Sequence, residues 1–104
     1  MTLRIVRTGS WLYGGQVKEP VDIIALDYDW WFSLGEADGH LEPDERPMPL
    51  GPDGCLYYAR FQHALQQSEP TWPDSPGHAD ITEAMRYAEA KVAGGIHWDD
   101  AVAA

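Results

Sequence analysis

The chain has 104 residues, 44% of them apolar, and a formal net charge of −10. That length predicts one domain with a real hydrophobic core, and five Trp, five Tyr and two Phe argue against disorder. The charge disfavours direct binding to nucleic acid or to an anionic membrane, because the seven scattered cations form no basic patch.

The single cysteine, Cys55, excludes an intramolecular disulfide and fits a reducing compartment. The N-terminus lacks the apolar run of a secretory signal, and no window reaches the ~18–20 apolar residues of a membrane span. A cytoplasmic protein is therefore expected.

In chain order, Leu3 to Trp11 reads as a first strand, followed by a turn at Tyr13-Gly14-Gly15-Gln16 and a short return strand at Gln16 to Lys18. Pro20, which lacks a ladder donor, suggests a strand start or an edge. Val21 to Phe32 gives the strongest strand signal, being rich in β-branched and aromatic residues. With alternating faces, Ile24, Leu26, Tyr28, Trp30 and Phe32 form one apolar face. The opposite face carries Val21, Ile23 and Ala25, then Asp27, Asp29 and Trp31.

Ser33 to Gly54 reads as a long acidic loop with four prolines, which could hold a short strand near Met48 to Leu50. Cys55 to Leu65 alternates as a further strand, with His63 to Gln67 a possible helical turn and with Cys55, Tyr57, Ala59 and Phe61 on the expected core face. A second loop spans Ser68 to Ala79. Asp80 is an N-cap candidate, with Glu83 three residues on as in a capping box. Ile81, Ala84, Met85, Ala88 and Val92 then make a helical apolar stripe, which Gly94-Gly95 should close with a left-handed cap. Ile96 to Trp98 reads as a short last strand.

The predicted fold class is α+β: an antiparallel sheet of three to five strands, with one helix from the C-terminal half packed on one face. The expected core joins Ile24, Leu26, Tyr28 and Trp30 to Ile81, Met85, Ala88 and Val92.

Residues 19–53 hold ten carboxylates against one cation, Arg46, and so carry almost the whole net charge. Such a field serves solubility, and it also suits recognition of a basic partner. The expected partner surface comprises Asp27, Asp29, Trp31, Glu36, Asp38 and Glu42, with Trp31 as its anchor. Asp27 and Asp29 on one strand face would lie ~7 Å apart, a spacing that could hold a divalent ion. Asp-x-Asp is nevertheless frequent by chance, and a solvated face is the simpler reading. None of the four histidines pairs with another His or Cys at zinc-binding spacing, and no nucleophile elbow or phosphate-binding glycine motif occurs. No metal, cofactor or catalytic set is expected.

The composite expectation is a small acidic, non-enzymatic protein-interaction domain that could pair as a homodimer. Two alternatives stand beside it: an acidic inhibitor of the immunity type blocking a basic site, and a small-ligand or metal-dependent enzyme.

Overall fold

A computed structural model describes residues 3–67 and 72–99. A four-stranded antiparallel sheet in the order β3-β2-β1-β4 is built from β1 (Arg4–Tyr13), β2 (Val17–Leu26), β3 (Leu56–Arg60) and β4 (His97–Trp98). Two helices accompany it, α1 (Trp30–Asp38) and α2 (Ile81–Ala90), so the fold is α+β and α2 lies in the C-terminal half. Among the described residues, no helix is long and apolar enough to cross a membrane.

β1 and β2 form a hairpin turning at Gly14 and Gly15. The return strand is one continuous element, so Pro20 sits within a strand rather than at its start. It is tolerated there because pairing to β3 begins only at Asp22, leaving a one-sided ladder at Pro20. From Val21 to Leu26 every residue of β2 is buried: Asp22 to Ala25 have a strand on each side, and the whole stretch has protein on each face.

Alternation divides this stretch between two cores. Val21, Ile23 and Ala25 pack with Tyr57, Ala59, Ala84 and Ala88, with Ile81 and Met85 at the margin. This is the face that α2 covers. Ile24 and Leu26 face the other way and pack with Leu56, Tyr58 and Trp30, supported by Leu34. The expected core is thereby corrected: Ile24, Leu26, Tyr28 and Trp30 lie across the sheet from α2, and the short side chains Ala84 and Ala88 let that helix settle on the opposite face.

The sequence expectation for Val21 to Phe32 fails after Leu26. The chain leaves the sheet and winds into α1, so the reading of Ser33 to Gly54 as loop throughout is also corrected. No strand forms at Met48 to Leu50. β3 ends at Arg60, and residues 62–65 form a turn.

α2 begins as expected, with Asp80 Oδ1 accepting from Thr82 N at 2.6 Å. Its C-cap, however, is Lys91 in right-handed geometry, three residues before the left-handed Gly94. Gly9 permits the β1–β4 contact, because a Cβ there would lie 2.8 Å from the His97 carbonyl oxygen.

The outer edge of β3 is covered by the segment leading to α2. Tyr57 and His78 exchange backbone hydrogen bonds at 2.7 and 2.9 Å, and Asp74 N donates to the Ala59 carbonyl at 2.8 Å. Ser75 Oγ accepts from Ala59 N. This docking protects the sheet edge and fixes residues 74–78 beside the start of α1.

Candidate functional site

The start of α1 is assembled from side chains distant in sequence. Asp29 is its N-cap: Oδ1 accepts from Phe32 N at 3.1 Å, while Oδ2 accepts from Met48 N at 2.8 Å. One carboxylate thus satisfies an orphan donor of the helix and pins the proline-rich segment across it. The Trp30 N–H, another orphan, donates to the buried Tyr58 hydroxyl at 2.8 Å, and that hydroxyl donates to the Tyr28 carbonyl at 3.3 Å. Gly39, with φ of 70°, closes the helix in the left-handed conformation.

Trp30 points into the core and Trp31 points out. Their rings meet edge to face at 4.7 Å, and Trp72 meets Trp30 at 5.1 Å. Trp31 keeps 42% of its surface exposed while its indole N–H donates to the Ser75 carbonyl at 2.8 Å. That bond fixes the ring's orientation without covering it.

An open groove of about 590 Å³ lies between α1 and residues 73–77. Trp31, Met48 and Tyr87 supply apolar surface, and Asp29 and Asp74 supply carboxylates. No Lys or Arg lines it. Asp74 Oδ2 accepts from Phe61 N at 2.6 Å and from Gln62 N at 3.3 Å, which holds the carboxylate in place. The Tyr87 ring already carries a cation, the Lys91 ammonium, 4.9 Å from its centroid.

Of the residues singled out from the sequence, the groove brings together Asp29 and Trp31. Asp27, Glu36, Asp38 and Glu42 are exposed nearby but do not line it. Asp27 and Asp29 do not share a strand face, since β2 has ended and Asp29 is committed to capping. Among the described residues, no group of three His, Cys, Asp or Glu is placed to hold a metal ion.

Sequence reasoning missed Met48, Asp74, Ser75 and Tyr87. Tyr87 lies off the apolar stripe of α2, a weak hint of a separate role. Nothing local links Asp74 or Ser75 to Trp31, because the link depends on β3 edge pairing. The bracket of Asp29 and Gly39 around nine residues was the available sign of α1.

No family model, no curated protein and no solved structure matches this chain.

Proposed function

We propose that this protein is a non-enzymatic interaction domain that docks a basic segment of a partner protein in the groove beside α1. The observation that carries the reading is the pairing of exposed Trp31 with Asp29 and Asp74 in a groove lined by no Lys or Arg. An arginine or lysine side chain suits that composition, because its aliphatic stem covers apolar surface while its charge meets carboxylates and aromatic faces. Asp27, Glu36, Asp38 and Glu42, exposed on α1 or on the chain flanking it, would add an acidic field that steers such a segment inward. The fixed indole of Trp31 serves as anchor, with little conformational freedom to lose on docking.

A peptide array containing Lys/Arg-bearing sequences and charge-reversed controls tests this. Bound peptides should be enriched in cations, and their affinity should fall as salt rises. Trp31→Ala should weaken binding about tenfold or more, the effect of losing an interface anchor. Absence of cationic enrichment, or an unchanged affinity in the Trp31→Ala protein, would sink the proposal.

A further inference from the structure

A second cleft, of about 670 Å³, lies just beyond the C-terminal end of α2, between the tip of the β1–β2 hairpin and the chain leading into β4. Its charge is opposite in sign to that of the first groove. Lys18 and Lys91 both line it, with His97, and no carboxylate does. These are the only two lysines in a chain of net charge −10, and the fold carries them to one place from distant parts of the sequence.

The rest of the lining is largely apolar, including Trp11, Tyr13 and Val92. A cleft of a few hundred Å³ with an apolar wall and a few convergent polar groups is the usual form of a small-molecule site. Gly14 and Gly95, which also line it, adopt positive φ, and a Cβ added at either would meet nothing within 4 Å. A separate observation concerns Trp11: its indole nitrogen is buried without a hydrogen-bond partner. That burial keeps the N–H out of a ligand's reach, so a molecule in the cleft would meet the Trp11 ring instead.

We infer that this cleft binds a small apolar carboxylic acid, with its carboxylate between Lys18 and Lys91 and its hydrocarbon or aryl body against Trp11 and Tyr13. The carbonyl end of α2 adds partial negative charge nearby, which two full positive charges outweigh. The Lys91 ammonium rests over the Tyr87 ring at 4.9 Å. An exposed cation–π contact is weak enough to be exchanged for a charge-assisted hydrogen bond to a carboxylate. The inference calls for an anionic ligand where the acidic groove calls for a cationic one, and the two sites adjoin at Lys91, which rests on Tyr87 of the groove wall.

The test uses trans-cinnamate, its neutral analogue cinnamamide and inorganic phosphate as probes, followed by calorimetry and by ¹⁵N–¹H NMR of the full chain. The five indole N–H signals report on the tryptophans, and Trp11→Phe assigns one of them to Trp11. Cinnamate should bind and shift the Trp11 signal. Cinnamamide should bind about tenfold more weakly or worse, and so should cinnamate to the Lys18→Glu/Lys91→Glu protein, as expected when charge-assisted bonds are lost. Both lysines are exposed, so the double variant should fold normally. The inference is overturned if cinnamate fails to bind at about 10 mM, well above the Kd of even a weak site. It is equally overturned if the amide or the double variant matches the parent interaction, or if phosphate binds as tightly as cinnamate.

Discussion

Asp22 and Arg60 face each other across β2 and β3 as a fully buried ion pair, with Arg60 Nε and Nη2 donating to the two Asp22 carboxylate oxygens at 2.9 and 2.7 Å. Asp22 Oδ2 also accepts from Leu65 N at 2.6 Å, at a residue whose φ is 70°. The pair therefore ties the turn after β3 to the central strand.

Removing one partner leaves the other charged and buried. Asp22→Ala or Arg60→Ala should each destabilise the fold by about 3–5 kcal/mol, whereas replacing both with apolar residues of similar volume should cost much less. Urea denaturation of the single and double variants measures this difference. Equal losses in all three proteins would refute the proposed coupling.

Asp29 joins two segments through one carboxylate. Asp29→Ala should cost about 1–2 kcal/mol from the lost cap. It should also raise amide hydrogen exchange at both Phe32 and Met48. Faster exchange at Phe32 alone would show that the second tether contributes nothing.

The tyrosines of β3 should make stability fall at high pH. Burial is the main cause that raises the Tyr58 pKa to about 12, aided by the nearby negative charge of Asp29; the hydrogen bond from the Trp30 backbone acts in the opposite direction. Tyr57 is also raised to about 12, first by its hydrogen bond to Asp53 and then by burial. The folded state thus holds these protons more tightly than the unfolded chain, whose tyrosines titrate near 10. The stabilisation is complete below pH ~10 and is lost as pH rises towards ~12. Absorbance titration should show two late-ionising tyrosines, and denaturation midpoints should drop over the same window. Tyr58→Phe removes one of the two and should cost about 1–3 kcal/mol at neutral pH, because the Trp30 N–H loses its buried acceptor.

Adjacent tryptophans should respond differently to truncation. Trp30 is 9% exposed and Trp31 is 42% exposed. Trp30→Ala should destabilise by about 3–5 kcal/mol, whereas Trp31→Ala should cost well under half of that. Comparable losses, read from denaturant midpoints, would mean that Trp31 is mainly a core residue.

Elements whose signals are local were legible from the order of residues alone. Asp80 and the stripe Ile81, Ala84, Met85 and Ala88 specify α2, because a cap and a 3.6-residue period act within a few turns. The alternating apolar runs around Val21 and Tyr57 specify strands, and the acidic window specifies the sign of the field around α1. Where β2 stops depends instead on contacts remote in sequence. Residues 27–32 have the composition of a strand, yet the Tyr58 hydroxyl and the Met48 N–H, both remote in sequence, complete a helix start at Asp29 and Trp30. Tertiary packing also buries both faces of β2, against α2 on one side and α1 on the other, a choice that period-two alternation leaves open. The two clefts belong to the same class of outcome. Trp31 meets Ser75 only because β3 edge pairing carries residues 74–78 there, and Lys18 and Lys91 line one cleft only because the hairpin tip and the chain after α2 lie side by side. Such juxtapositions depend on long-range packing, which residue spacing does not encode.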